Sequence, residues 1–266
     1  MNAVELYRAG SLTEAVQAQN EAVKKSPADI EGRSFLGELL CIAGNLDRAD
    51  AQMETITKMN AQAGPSLGLV RQLIRAEKTR QEVLHEGRVP EFLNEPPEHL
   101  QLRMEAAVAH RGGDAAAAQE ILQRAEEARP GIGGTCDGAA FDDFRDLDDL
   151  CAGAFEVLTS TGRYFWIPTE EVVSVAFDPP SQPLDLLWRP AEMDVRGGPD
   201  GKVFLPAIYG TTDGADDASR LGRRTDWVEC GGPDALLGVG LRTYLVGEES
   251  KTLFELSEIS FEERTE

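Results

Sequence analysis

Two short segments in the second half of the chain concentrate charged side chains. The segment FDDFRDLDDL carries five carboxylates, Asp142, Asp143, Asp146, Asp148 and Asp149. The segment RLGRRTDW carries Arg220, Arg223, Arg224, Asp226 and Trp227. Carboxylates act as general acids and bases, and guanidinium groups bind anions. One hypothesis is therefore an enzyme in which Asp146, Asp148 or Asp226 transfers protons while Arg223 holds an anion.

The spacing of these residues favours structural roles instead. A calcium loop places oxygen ligands on alternate positions around a glycine, whereas these aspartates alternate with apolar residues at helical spacing. We expect them to form the solvated face of one amphipathic helix over residues 141–158, with a metal site or a specific charge pairing as alternatives. We expect the three arginines to pair with the aspartates; the alternative is a patch built on Arg and Trp.

Motifs of common enzymes are absent from the sequence. It contains neither a GxxxxGK phosphate loop nor a GxGxxG dinucleotide fingerprint. The first half contains all three histidines, His85, His99 and His110. We expect them to be surface or groove residues, and the second half lacks the usual general base. The cysteines lack CxxC spacing and are expected to be reduced thiols: Cys41, Cys136, Cys151 and Cys230. We therefore predict no metal and no cofactor.

Length and charge predict two domains, residues 1–130 and residues 131–266. The chain has 266 residues and a net charge of −21, and its second half holds 27 acidic against 11 basic side chains. A field of this sign opposes binding to nucleic acids and to anionic membranes. Because the sequence has no apolar run of membrane-spanning length and no signal-peptide pattern, we expect a cytoplasmic protein.

Residues 1–130 contain a repeated frame of small residues. Gly10, Gly44 and Gly113 are each followed by Ala five positions later, and Gly10 and Gly44 lie 34 residues apart. This is the period of a tetratricopeptide hairpin, in which Gly marks the turn between two helices. We predict a TPR-like domain of stacked hairpins, in which Ser11 and Glu14 form a capping box. Between residues 64 and 87 the frame loses its Gly, which predicts a degenerate repeat or one long helix.

Residues 131–266 have a different pattern. After the helix predicted over residues 141–158, short apolar or alternating runs are separated by Pro and Gly. These runs predict strands at 164–167, 172–177, 184–188, 203–208 and 241–246, followed by an edge pair at 253–256 and 259–261. The whole chain is therefore predicted to be α+β, with helical hairpins first and a strand-rich, largely antiparallel domain second.

Five strings in the second half resemble one protein family. They are FRDLDDL, GRYFWIP, PLDLLWRPAEM, VFLPAIYG and RLGRRTDW, in this order. Together they resemble the ImpE family, also called the TagJ or SciE type. That resemblance implies an accessory protein of bacterial type VI secretion systems. Such a protein is a cytoplasmic adaptor that binds a helix of the small sheath subunit and associates with ClpV, the ATPase that disassembles the contracted sheath.

The concave side of stacked hairpins suits such a partner helix. The repeat frame predicts that its side chains come from the first helix of each hairpin: Val4, Tyr7, Arg8, Glu31, Ser34, Glu38, Cys41, Arg103, Ala107 and His110. The leading hypothesis is a non-enzymatic adaptor. The alternatives are the carboxylate and arginine enzyme described above, and a homo-oligomeric assembly subunit whose copies meet through RLGRRTDW.

Overall fold

Helices occupy the first half of the chain and strands the second. The computed structural model describes residues 1–60, 64–210, 215–232 and 235–263, with the backbone alone for 64–66 and 231. The described helices before the first strand are α1 (Ala3–Ala9), α2 (Leu12–Lys25), α3 (Ile30–Ile42), α4 (Leu46–Met59), α5 (Gly64–Gln81), α6 (Glu98–Arg111) and α7 (Ala115–Ala128). A π-helical turn, Glu82–Glu86, extends α5.

The three frame glycines lie at hairpin turns, as predicted. Gly10, Gly44 and Gly113 have φ angles of 93°, 76° and 78°, in the left-handed region that Gly adopts without steric cost. Short turns there join α1 to α2, α3 to α4 and α6 to α7, and the two helices of each pair are in contact. The region without a frame glycine is one long helix, α5 with its π-helical turn, which ends at Gly87.

The predicted capping box at the start of α2 does not form. The Ser11 side chain makes no capping hydrogen bond. Instead, the backbone N–H and the hydroxyl of Thr13 donate to the Asp217 carboxylate at 2.9 and 2.8 Å. A carboxylate from the second half thus satisfies a free N–H at this helix end.

Antiparallel strands make up most of the second half. They are β1 (Gly134–Cys136), β2 (Ala139–Phe141), β3 (Phe144–Asp146), β4 (Ala154–Thr159), β5 (Tyr164–Pro168), β6 (Val172–Phe177), β7 (Trp188–Val195), β8 (Asp200–Pro206), β9 (Thr225–Gly232), β10 (Ala235–Gly240), β11 (Thr243–Val246), β12 (Glu249–Thr252) and β13 (Glu258–Phe261). The largest sheet has the order β2-β1-β13-β6-β7-β8-β4-β5, beside the smaller sheets β10-β9 and β12-β11-β3. A short helix, α8 (Asp217–Arg220), precedes β9. The α+β fold class is confirmed.

The helix predicted over residues 141–158 is wrong, because strands β3 and β4 occupy this segment. Between them, the Asp148 backbone N–H donates to the Asp146 side chain at 2.8 Å, and the Leu150 N–H donates to the Asp148 side chain at 2.9 Å. Aspartates that bind backbone groups two residues ahead stabilise turns and compete with helical hydrogen bonds. The apolar spacing fits a helix, but these local bonds close a turn.

Three strand predictions also need correction. Residues 183–186 form a 3-10 helix, so the strand predicted at 184–188 begins only at Trp188 in β7. Leu253–Glu255, within the strand predicted at 253–256, is also a 3-10 helix. β13 lies between β1 and β6 and is an interior strand, whereas an edge strand was predicted.

The apolar core extends across both halves. One buried cluster combines Leu40, Leu73 and Ile74 from the helices with Trp166 and Trp188 from the strands. None of the described helices has the length and hydropathy needed to cross a membrane. Residues 1–130 and 131–266 both contribute side chains to this cluster. The division into two domains at residue 130 stays a prediction.

A second buried cluster lies within the strand-rich half and is centred on aromatic rings. Phe144 stacks on Phe155 and on Tyr244, with ring centroids 5.5 and 5.1 Å apart. Aromatic pairs of this kind add to the stabilisation that burial provides. Phe144 on β3 therefore helps hold the three-stranded sheet against β4.

We expect Phe144→Ala to lower the free energy of unfolding by about 3–5 kcal/mol, because it leaves a cavity among stacked rings. The matched control is Leu186→Ala, at a side chain that is 40% exposed, with an expected loss of about 0.5 kcal/mol or less. Urea denaturation monitored by circular dichroism measures both variants. Equal losses in the two variants would contradict the placement of Phe144.

Candidate functional site

Five buried charged side chains meet where the helices contact the sheets. We call Glu77, Arg80, Asp146, Glu156 and Arg242 the charge cluster; each is 5% exposed or less. Helix α5 supplies Glu77 and Arg80. Asp146 lies on β3, Glu156 lies on β4, and Arg242 directly precedes β11. Charged groups are buried in proteins almost exclusively when they are paired. The cluster thus joins residues from three separate parts of the chain.

The two arginines of the charge cluster bridge its carboxylates. Arg80 donates to both oxygens of Glu156, at 2.8 and 3.1 Å, and to Glu77 at 3.1 Å. Arg242 donates to Asp146 and to Glu156, and its Nε donates to the Pro206 carbonyl at 2.9 Å. Such bidentate, charge-assisted bonds are the strongest hydrogen bonds in proteins. They hold α5 directly against β4.

Neutral donors complete the charge cluster, which contains three carboxylates and two guanidinium groups. The Trp188 indole donates to Glu77 at 3.1 Å, the Tyr164 hydroxyl donates to Glu156, and the Tyr209 hydroxyl donates to Asp146 at 2.8 Å. Trp166 donates to the Tyr164 hydroxyl oxygen at 2.6 Å. A buried polar network stabilises a fold when all its members are satisfied. Hydrogen bonds from these neutral donors thus compensate for the one negative charge that the two guanidinium groups leave unbalanced.

Two carboxyl groups, Glu156 in the charge cluster and Asp148 beside it, have pKa values that are shifted in opposite directions. Burial alone would raise the pKa of Glu156, but Arg80 and Arg242 outweigh it and lower this pKa to about 2. Asp148 is next to the cluster and has no direct arginine partner among the described residues. Burial and the adjacent Asp146 carboxylate raise its pKa to about 7. Asp148 therefore titrates near neutral pH.

Two cavities flank the charge cluster. The larger has a volume of about 530 Å³ and is lined by residues of α3 and α5, among them Cys41, and by Arg220 of α8. The smaller has a volume of about 210 Å³ and is lined by His110, Asp148 and Glu156, among others. Both contain Arg80 and Tyr209 in their walls. The cluster thus separates two spaces that are large enough for side chains of a partner or for a small ligand.

Seven of the predicted partner-binding residues lie on α1 and α3; six of them are exposed or half-buried, and the structure brings several of these together. The Tyr7 ring contacts Phe35 edge-on, with centroids 6.1 Å apart. Burial raises the pKa of Glu38, while a hydrogen bond from Ser34 opposes this rise. Val4, Arg8 and Glu31 are exposed on the same two helices. We call Val4, Tyr7, Arg8, Glu31, Ser34 and Glu38 the α1/α3 surface.

Two other predicted residues do not face solvent. Cys41 is buried, and Arg103 is fully buried because it pairs with Glu126 at 2.7 Å and donates to the Asp149 carbonyl. Burial removes the Arg103 side chain from the surface, which corrects its predicted place in a groove, whereas Cys41 contributes to the wall of the larger cavity. Partner binding by these residues stays a prediction. Ala107 and His110 are half-buried on α6 and do not belong to the α1/α3 surface.

The arginine segment has a role that differs from the predicted one. Arg223 donates to the carbonyls of Tyr7 and Arg8 at 3.1 and 2.9 Å, and Arg220 donates to the Ala43 carbonyl at 3.0 Å. These carbonyls lie at the ends of α1 and α3, where intrahelical partners are missing and the helix dipole is negative. The segment therefore holds the first two hairpin turns.

The other residues of RLGRRTDW also lack contacts with the aspartate cluster. Arg224 lies 3.3 Å from Asp216 and 3.7 Å from Asp226, and the Trp227 ring is 5.9 Å from the Tyr209 ring. The predicted pairing of these arginines with the aspartates at 142–149 is therefore wrong. Arg129 directly after α7, Arg145 on β3 and Arg242 pair with aspartates of this cluster instead.

The aspartate cluster is not a solvated face, which corrects a second expectation. Asp146 and Asp148 are buried, and Asp143 and Asp149 pair with Arg129 and Arg145 at 2.7 and 2.5 Å. Asp142 is the exposed member. Within the described part of the chain, no hydrogen bond or ion pair joins Arg223 or Asp226 to Asp146 or Asp148. The structure does not assemble the enzyme site that was considered from the sequence.

Sequence reasoning missed Glu77, Arg80, Glu156 and Arg242. Glu156 is a charged residue within the apolar strand AFEVLT, whereas Glu77 and Arg80 lie in the polar stretch RAEKTRQ of α5. A lone charge within an apolar strand indicates a buried, paired side chain; this signal was available, although its partners were not. The described residues contain no group of three or more His, Cys, Asp or Glu placed to hold a metal ion.

The histidines occupy different environments. His99 was expected at a surface or in a groove but is buried, with its Nε2 atom 2.8 Å from Glu170. His85 is exposed and lines both cavities, and His110 lines the smaller one. The expectation is therefore corrected for His99, because the start of α6 packs against the segment that follows β5.

These features define a class of α+β proteins in which helical hairpins are joined to antiparallel sheets by buried ion pairs. The family profile described as ImpE protein matches residues 138–260. The chain is 34% identical to a Pseudomonas aeruginosa protein named type VI secretion system accessory component TagJ, over 98% of this chain and 92% of that protein. The X-ray crystal structure of a Vibrio parahaemolyticus protein matches with a TM-score of 0.93 and 29% identity, over 98% of both chains.

The chain belongs to the ImpE/TagJ family. All five strings that indicated this family, from FRDLDDL to RLGRRTDW, lie within the matched residues 138–260. The sequence-based resemblance is therefore confirmed.

We expect Arg80→Met to lower the free energy of unfolding by about 3–5 kcal/mol, because it leaves buried carboxylates without their cation. The matched control is Arg88→Met, which removes an exposed pair with Glu82 and costs at most about 1 kcal/mol. Urea denaturation of both full-length variants measures the difference. A loss as small as that of the control would show that the charge cluster does not stabilise the fold.

We expect Asp148→Asn to change how stability depends on pH. In the folded protein Asp148 keeps its proton up to about pH 7, whereas the unfolded chain releases it near about pH 4. This carboxyl therefore lowers the free energy of unfolding as pH rises between these values. The variant should gain at least about 1 kcal/mol relative to wild type across this range. Chemical denaturation at several pH values, with exposed Asp142→Asn as control, measures it; a constant difference would contradict the raised pKa.

Proposed function

We propose that this chain is a non-enzymatic cytoplasmic adaptor of a bacterial type VI secretion system. It binds a helix of the small sheath subunit and associates with the ClpV ATPase. Membership of the ImpE/TagJ family supports the assignment to this system, since the Pseudomonas relative is named as an accessory component of it. Tethering a substrate beside an ATPase raises its local concentration and strengthens engagement without new chemistry.

The α1/α3 surface is the observation that carries the proposed sheath contact. It combines exposed apolar and charged side chains with the half-buried Tyr7 and Glu38 on two TPR-like helices, a combination that suits the face of an amphipathic helix. Arg220 and Arg223 hold the ends of both helices from the second half. A surface whose backbone is held before binding loses less entropy when a partner docks.

The acidic second half has the complementary part in this proposal. Through the charge cluster and the arginine segment it supports the hairpins. Its exposed carboxylates provide a negatively charged surface for the ATPase contact, which favours a partner surface rich in Lys and Arg. The adaptor thus presents helices to one partner and sheets to the other.

One observation favours a second candidate, an enzyme that uses Asp148. Its pKa of about 7 and its place in the wall of the 210 Å³ cavity are typical of an acid or base near a ligand site. However, both oxygens of Asp148 accept backbone hydrogen bonds, from Leu150 and Gly238 at 2.9 Å. Asp148→Asn distinguishes the candidates: abolished secretion with intact sheath and ClpV binding would favour the enzyme.

We expect a Tyr7→Asp, Glu38→Lys double variant to bind the purified small sheath subunit at least about ten-fold more weakly, about 1.4 kcal/mol. The variant changes the character of the α1/α3 surface. Because Tyr7 packs at the edge of a buried cluster, circular dichroism verifies that the variant retains the fold. Isothermal titration calorimetry with the full chain measures the affinity, with Glu120→Lys as a control that makes the same Glu-to-Lys change at an exposed position on α7. Unchanged affinity would place the interface elsewhere, and no binding by wild type would refute the sheath contact.

A further inference from the structure

An apolar groove lies between α6 and the chain that leaves the π-helical turn. We call it the α6 groove; its walls include Leu84, Val89, Met104, Ala107, Val108 and Trp166. Val89 and Val108 are 64% and 61% exposed, and among the described residues only Met1 is a more exposed large apolar side chain. Two solvent-exposed valines in the walls of one groove are typical of a protein-binding surface.

The backbone around the α6 groove has an uncommon form. The π-helical turn Glu82–Glu86 replaces the last turn of α5, and Gly87 ends it with a φ of 83°. Arg111 of α6 reaches the Val83 and Leu84 carbonyls at 3.4 and 3.5 Å. Single π-helical turns occur frequently at functional sites. Here the turn and Arg111 fix the separation of the two groove walls.

The charge of the α6 groove is opposite to that of the chain. Its lining contains Arg88 and Arg111 and, within the described residues, no Asp or Glu, although the chain carries a net charge of −21. Arg88 pairs with Glu82 at 2.6 Å in an exposed bridge, and such bridges contribute little and exchange readily. The groove therefore complements a segment that carries both apolar side chains and carboxylates.

We propose that the α6 groove binds an amphipathic helix of a partner protein, with apolar side chains over Val89 and Val108 and carboxylates facing Arg88 and Arg111. The helical form of the partner rests on the proposed function, in which this chain binds a helix of its partner; the α6 groove adds a contact to the α1/α3 surface and the acidic surface. Its walls come from α6, from the π-helical turn with the segment after it, and from Trp166 on β5; an apolar groove of this kind suits the apolar face of a helix. The position of the proposed binding site is inferred only from the exposure of Val89 and Val108 and from the charge of Arg88 and Arg111.

Selection from a phage-displayed library of random 16-residue peptides, with the full chain as bait, tests the proposal. A Val89→Asp, Val108→Asp double variant serves for counter-selection; both positions are exposed, so the fold is retained, which circular dichroism verifies. We expect enriched peptides with apolar residues three or four positions apart and at least one carboxylate. As synthetic peptides they should bind wild type at least ten-fold more tightly than the double variant, and also more tightly than Arg88→Glu.

The matched control is Met59→Asp, which places the same charge on another exposed apolar residue, on α4; peptide affinity should not change. Failure to enrich peptides, or equal binding to wild type and the double variant, would overturn the proposal. Neither result depends on the sheath subunit. Loss of sheath binding in the α1/α3 variant together with failed peptide selection would leave the proposed function supported and refute only the α6 groove.

Discussion

The buried pairing of Arg80 and Arg242 with three carboxylates is the interaction on which the rest of the structure depends. It joins α5, β3, β4 and the residue before β11 at one point, within the core that both halves share. A buried pair is favourable only while every member keeps its partners, since removal of one leaves an uncompensated charge. The network therefore specifies one arrangement of helices against sheets more than it adds to stability.

A second contact between the halves follows the same electrostatic logic at the surface. Asp217 binds the start of α2, and Arg220 and Arg223 bind the ends of α3 and α1. Each charge meets the helix end of opposite sign. The seven-residue segment from Asp217 to Arg223 thus sets the position of two hairpins in the first half. The α1/α3 surface is therefore held by residues that lie outside it.

Internal pairing also decides what remains on the outside. Arg80, Arg103, Arg129 and Arg242 are all paired within the protein, which leaves an exterior dominated by carboxylates. The α6 groove departs from this pattern because it combines exposed valines with arginines. The α1/α3 surface and the α6 groove belong to different hairpins and share no helix.

The sequence by itself determined the hairpins, because each depends on contacts close along the chain. A glycine at the turn and small residues at the following positions predicted the ends of α1, α3 and α6, and family strings identified the second half. Residues 141–158 were decided only by the tertiary structure. Their apolar spacing fits a helix, yet Asp146 pairs with Arg242, 96 residues away, and Glu156 with Arg80, 76 residues away. The periodicity of the sequence shows which side chains are apolar. Whether a carboxylate faces solvent or pairs with a distant arginine depends on strand pairing and burial, which only the tertiary structure shows.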